Sequence, residues 1–302
     1  ELGRLHLEEV FGDKIETTAV NEVSVGEEGE MVLENLVSDG FDIIFTTTPQ
    51  LINASLKTAV EHPNVKILNC SLNMSHRYIR TYYARMYEAK YITGVIAGAL
   101  SQTDRIGYIA DYPIFGNTAN INAFALGAKL VNPRAKVYLC WSTAKDADVQ
   151  EFIKCNGISY VSDQDMITPK TASRAFGLYN SEGRDPLNMA MPVWHWGIFY
   201  EKLIHSILRG SWESEEDTGN EKALNYWWGM SAGVVDIILS NNLPISTRKL
   251  VNLIKKSIIN GSFSPFAGEL FSQDGTKQNE DGQCMSPEEI VTLDWLADNV
   301  VG

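Results

Sequence analysis

Residues 105–140 read RIGYIADYPIFGNTANINAFALGAKLVNPRAKVYLC. A β-rich run, Ile106–Ala110, leads into a helical pattern over Asn117–Leu130, and a turn at Asn132-Pro133-Arg134-Ala135 returns the chain to a second β-rich run, Lys136–Cys140. Strand, helix and strand at this spacing predict a parallel α/β unit, since parallel neighbours need a crossover of a dozen or more residues.

The same alternation runs upstream. Lys14–Val20 reads as a strand, Glu28–Val37 as an amphipathic helix stopped at Ser38-Asp39-Gly40, and Phe41–Thr46 as a continuous apolar strand of the kind found in a sheet covered on both faces. A helix over Leu51–Val60 and a strand at Val65–Leu68 follow. The long helix over Tyr83–Leu100 carries Gly94, Ala97 and Gly98, small residues that allow a close approach to a sheet. The restart at Arg105 predicts two doubly wound lobes, with the first crossover close to Ser101–Arg105. Further on, strands are expected near Ser159–Val161, Phe176–Leu178 and Met189–Trp194, with a helix over Gly197–Leu208 ended by Gly210. Asn225–Ser240 holds two strands broken at Ser231-Ala232-Gly233. Pro244–Ile259 is a basic amphipathic helix capped by Ser246 or Thr247, Phe263–Gly275 a hairpin turning at Asp274-Gly275, and Ser286-Pro287-Glu288-Glu289 a helix start. Residues 1–11 read as the tail of a helix, so a strand preceding Glu1 is expected to be missing from the first lobe, leaving an open sheet edge.

The expected division places 1–104, 195–222 and 286–302 in the N-terminal lobe and 105–194 with 223–285 in the C-terminal lobe. A chain of 302 residues fits about two domains and needs no staple to build a core. Its formal net charge of -13 disfavours nucleic-acid binding. No uncharged stretch reaches the ~20 residues of a spanning helix. The four cysteines form no CxxC pair, and Cys70 and Cys140, which close apolar runs, read as buried thiols.

Phosphate-loop, dinucleotide and hydrolase-elbow motifs are absent, and the five histidines show no metal-ligand spacing. No catalysis, metal or cofactor is expected. Asp163 and Asp165 form a carboxylate pair beside a predicted strand end, open to ligand chemistry or to capping and solvation. Trp194 and Trp196 flank one residue and, if both lie on a strand, form one wall, either core or ligand platform. Loops at the carboxyl ends of the strands supply polar contacts in such folds. That places Thr47 and Thr48, Tyr112 and Phe115, and Trp141 among the candidate ligand contacts. Asp163, Asp165, Glu182, Trp194, Trp196 and Asp236 complete the set.

Several motifs in order resemble one family. They are Tyr83-Ala84-Arg85-Met86-Tyr87-Glu88 running into Gly94 and Ala97-Gly98, then Gly107-Tyr108-Ile109-Ala110 and Asn122-Ala123-Phe124-Ala125-Leu126-Gly127-Ala128. Later come Trp196-Gly197 with Tyr200, Gly210-Ser211-Trp212, Phe266-Ala267-Gly268, Asp274-Gly275 and Asp294-Trp295. Over almost all 302 residues the chain resembles the basic membrane protein family, substrate-binding lipoproteins of ABC transporters. The resemblance implies a periplasmic-binding-protein-like α/β fold of the first type, two lobes joined by hinge crossovers that close on a small ligand. It implies a nucleoside-like solute, an ABC permease as partner, and an extracytoplasmic address fixed by a lipid-modified cysteine upstream of Glu1. The chain departs from the family at Pro49-Gln50, at Ser231-Ala232-Gly233, which replace a Lys-Asp-Gly, and at Ala267; Glu182 keeps the family's acid. The alternatives are a ligand-sensing regulator on the same fold, a binder of sugar or another small solute, and an enzyme built on two α/β lobes.

Overall fold

The computed structural model describes residues 1–72, 78–112, 116–165, 175–214 and 226–302. In chain order the first elements are α1 (Leu2–Phe11), a 3-10 turn at Gly12–Lys14, α2 (Glu27–Ser38), β1 (Ile43–Thr46), α3 (Ile52–Glu61), β2 (Lys66–Cys70) and β3 (Arg80–Ala84). Next come α4 (Tyr87–Leu100), β4 (Arg105–Ala110), α5 (Asn117–Val131), β5 (Lys136–Trp141), α6 (Val149–Cys155), β6 (Tyr160–Ser162), β7 (Leu178–Asn180) and β8 (Leu187–Trp194). The rest are α7 (Trp196–Leu208), α8 (Ser211–Ser214), β9 (Tyr226–Trp228), β10 (Val235–Leu239), α9 (Ile245–Ile259), β11 (Leu270–Phe271), β12 (Lys277–Asn279), α10 (Pro287–Val291) and β13 (Val300–Val301).

The chain forms two compact units, Glu1–Ala84 with His195–Trp228 and Arg85–Trp194 with Gly229–Gly302. In the first, β1-β2-β3-β9 make an all-parallel sheet. Leu33 of α2 and Ala54 and Ala59 of α3 pack on its Ile44 and Ile67 face. Leu7 and Phe11 of α1 and Ile204 of α7 pack with Ile43 and Phe45 on the other face. In the second unit, seven strands run in the order β10-β8-β7-β6-β4-β5-β13. Strands β6, β4, β5 and β13 are parallel, whereas β7 runs antiparallel to both β6 and β8, and β10 is antiparallel to β8. Ile153 of α6 and the following Ile158 cover Ile109, Val161 and Tyr179 on one face.

Helices α4 and α5 approach backbone to backbone. A Cβ on Gly94 would stand 2.0 Å from the Phe124 carbonyl oxygen, and one on Gly127 would stand 2.1 Å from that of Tyr91. Gly98 is equally constrained, with the Ala128 oxygen 2.5 Å from its would-be Cβ. The small residues of this helix therefore admit a helix and not the expected sheet. The contact also carries 85–104 into the second unit and moves the first crossing from Ser101–Arg105 to Ala84/Arg85. The C-terminal segment lies in the second unit for a separate reason. Asn122 binds Trp295 O and Ala297 N, each at 2.9 Å, Asn299 Nδ2 donates to Ala125 O at 2.8 Å, and β13 pairs with β5. Residues 226–228, expected in the second lobe, pair instead with β3 of the first sheet.

Three local expectations also change. Lys14–Val20 forms no strand, since none of the described strands lies beside it and a lone strand leaves its ladder groups unpaired. Tyr83 and Ala84 belong to strand β3, and the helix begins at Tyr87. Helix α9 starts after Pro244 without a side-chain cap. The Ser286 capping box is present in full, and a turn at Asp274-Gly275 joins β11 to β12. Cys70 is buried, Cys140 half-buried, and Cys155 and Cys284 are exposed. Among the described residues no helix is long and apolar enough to cross a membrane.

Gly94→Ala is expected to destabilise the protein by ~3 kcal/mol or more, because the obstacle is backbone that cannot rotate away. Gly268→Ala, at a turn with open space around it, carries only the strain of a positive φ of 82° and is expected to cost less. Chemical denaturation of the two variants checks the difference.

Candidate functional site

Parallel strands β5, β4 and β6 are adjacent, so the loops that follow them emerge on one edge of the second unit's sheet. Each supplies a polar residue just after its strand: Ser142, Asp111 and Asp163. Asp111 ties the loops together. Its Oδ1 accepts a hydrogen bond from Ser142 Oγ at 2.5 Å, and both carboxylate oxygens accept from Gln164 Nε2, at 2.9 and 3.0 Å. Beside it stand Tyr112, 56% exposed, and Trp141, half-buried at the end of β5. The Tyr112 carbonyl accepts from Asn117 Nδ2 at 2.7 Å, which fixes this loop to the start of α5.

Asp163 is half-buried, and its Oδ2 accepts from Tyr179 OH at 3.5 Å. Burial raises its pKa, with Asp111 adding to the rise, while the Gln164 N–H bond and Lys90 act against it. Asp165 is turned away from solvent: its carboxylate lies 3.0 Å from Lys90 Nζ of α4, with side chains 7% and 6% exposed. Trp194 closes β8, which runs in the same direction as β6, so it reaches the same edge. Its Nε1 is buried with no hydrogen-bond partner among the described residues.

The other predicted contacts lie elsewhere. Glu182 follows β7, which runs opposite to β6; Ser181 N accordingly bonds Ser159 O at 2.8 Å, at the start of β6. Glu182 therefore sits on the edge opposite to Asp163, where it lines an open pocket of about 550 Å³ with Asp148, Glu151 and Lys154. Asp236 of β10 is ion-paired with Lys255 of α9. Trp194 and Trp196 do not lie on one strand: β8 ends at Trp194, His195 is the N-cap, and Trp196 opens α7 in the other unit. Phe115 lies outside the described residues.

In the first unit, Thr47 and Thr48 follow β1 as expected. Thr47 is exposed, whereas Thr48 caps the 3-10 turn Pro49–Leu51 by accepting from Gln50 N at 3.4 Å. Asn69 of β2 donates to Thr46 Oγ1 at 2.8 Å and to Thr48 O at 3.0 Å, which holds that loop from behind. Trp196 stacks on Tyr200 at 6.2 Å and meets Tyr82 and Phe199 edge-on, each at 5.8 Å. It is therefore part of an aromatic core. Asp111, Ser142 and Gln164 carry the same signal as Asp163, a polar residue just past an apolar strand. Lys90 carries a different signal, a basic residue near the start of the mostly apolar run Tyr87–Leu100.

A family model, Bmp, described as ABC transporter substrate-binding protein PnrA-like, matches residues 1–179. The chain belongs to the Bmp family. Among curated relatives, a purine-binding protein of Brucella abortus (strain 2308) is 28% identical over 313 aligned residues, covering 98% of this chain and 86% of that protein. A putative ABC transporter glucose-binding protein of Haloferax volcanii is 26% identical, covering 84% of this chain and 66% of that protein. Solved structures with the same fold include a transcriptional activator of the comK gene from Bacillus halodurans, with TM-score 0.66, 16% identity and 87% and 93% of the two chains covered. An ABC transporter solute-binding protein from Conexibacter woesei has TM-score 0.60, 12% identity and 86% and 91% coverage. The fold is periplasmic-binding-protein-like, and this Bmp protein is a solute receptor of the extracytoplasmic substrate-binding class.

Trp196→Ala is expected to remove roughly 2–4 kcal/mol of stability, since the indole is half-buried among three rings. Thermal melting checks this; an unchanged Tm contradicts the core assignment.

Proposed function

We propose that this Bmp protein captures a purine nucleoside or nucleobase, releases it unchanged to an ABC permease, and works from a lipid tether outside the cytoplasm. The tether rests on the family resemblance alone. The ligand class is supported by the Brucella relative's name and by one feature of the second unit, the Asp111 carboxylate held by Ser142 and Gln164 beside Tyr112 and Trp141. A carboxylate accepts ring or exocyclic N–H groups, and an aromatic face stacks on a base for about 1–3 kcal/mol. Both requirements of a planar, N–H-rich solute meet at one sheet edge. A hexose is the second reading, favoured by the Haloferax relative, and it uses the same carboxylates for hydroxyl groups. The comK activator shares the fold at 16% identity, and that likeness says nothing about ligand or role.

Titration calorimetry with adenosine, guanosine, inosine, hypoxanthine and glucose separates the readings. Purines are expected to bind at roughly micromolar Kd, about −8 kcal/mol, with glucose silent. Asp111→Asn is expected to weaken that binding by about 10- to 150-fold, the equivalent of one charged hydrogen bond of ~1.5–3 kcal/mol. Glucose binding with purines silent overturns the purine reading.

A further inference from the structure

Lys90 is a buried cation on α4, a mostly apolar helix whose other buried polar side chains are Glu88 and Thr93. Its ammonium lies 3.0 Å from Asp165 Oδ1 and donates at 3.4 Å to both Ser162 Oγ and the Asp163 carbonyl. The Tyr108 ring lies beneath it, with Nζ 5.6 Å from the centroid. One side chain thus contacts Ser162, Asp163 and Asp165 at the end of β6. The residue between its two anchors, Gln164, holds Asp111. Stability alone does not account for the pair, since well-packed apolar side chains of the same volume are often as stabilising as a buried ion pair. Its effect is geometric, because three contacts from one ammonium tie Ser162, Asp163 and Asp165 to α4.

From this geometry we infer that Lys90 is a positioning residue for ligand binding, its contact with Asp165 and the Asp163 carbonyl presetting Asp163 and Gln164 for the solute. Asp165 is then the counter-ion of that device and not a ligand contact. The inference rests on the strand-end site described above as the place of binding. Pre-organisation of this kind lowers the ordering cost of binding without touching the ligand.

Two variants separate positioning from mere packing. Lys90→Met leaves the Asp165 carboxylate buried and alone, and is expected to lower the Tm and to expose the loop. Lys90→Met/Asp165→Leu removes both charges and is expected to restore the Tm. Affinity for guanosine and adenosine in the double variant is nevertheless expected to fall at least about tenfold. Deuterium exchange at the amides of Asp163 and Gly177, which bond to Gly177 O and Gln164 O, is expected to accelerate about tenfold in the double variant without ligand. Restored Tm together with affinity within about threefold of the unmodified protein overturns the inference, whatever the exchange shows. If the unmodified protein binds neither nucleoside, the purine reading fails on its own. Exchange then decides the role of Lys90: acceleration supports positioning and unchanged protection overturns it.

Discussion

The contact between α4 and α5 is the constraint on which the second unit depends. Gly94 and Gly127 meet the opposing backbone at distances no side chain tolerates, so one helix lies in the groove of the other without side chains between them. Dispersion then acts between whole backbones, and positions along both helices are fixed to within a fraction of an ångström. That fixed helix carries two buried charged groups one turn before the contact, Glu88 and Lys90. Glu88 accepts from Met230 N at 2.6 Å, where the chain re-enters the unit, and the hydrogen of Gly229 faces its carboxylate. Lys90 reaches the end of β6. Packing in an apolar region thus sets the geometry of polar loops far from it in sequence.

The two groups illustrate opposite solutions to burying charge. Burial raises the Glu88 pKa, with the Met230 N–H and Arg85 countering it, so one backbone donor and one cation keep it compatible with the interior. Lys90 loses solvation as well, yet Asp165 and its other neighbours more than compensate and its pKa ends raised. An interior charge without such partners would change protonation state or reorganise the chain. Each partner here belongs to a segment that must be held in place.

Much of this was legible from residue order. Strand–helix alternation points to most strands and helices of both units, though it misses β3 and places a strand at Lys14–Val20 where none forms. The rule that polar loops follow parallel strands puts Asp163, Tyr112 and Trp141 on one edge. Glu182 was misplaced because the rule assumes a parallel strand, and the direction of a three-residue strand such as β7 is set by its neighbours and not by its own sequence. A wall of Trp194 and Trp196 requires both on one strand, and neither proline nor glycine between them marks the change from strand to helix at His195. The glycines of α4 signalled a close approach correctly, but only the structure says that the partner is a helix. Asp236 and Asp165 looked available because their cations, Lys255 and Lys90, are distant in sequence.

A crystal structure of the protein with bound guanosine tests the central claim most directly. The account predicts the base at the strand-end edge of the second unit, with an N–H group within hydrogen-bond distance of the Asp111 or Asp163 carboxylate and Gln164 displaced or shared. A base bound with neither carboxylate in reach, and with Gln164 still closed on Asp111, would contradict it.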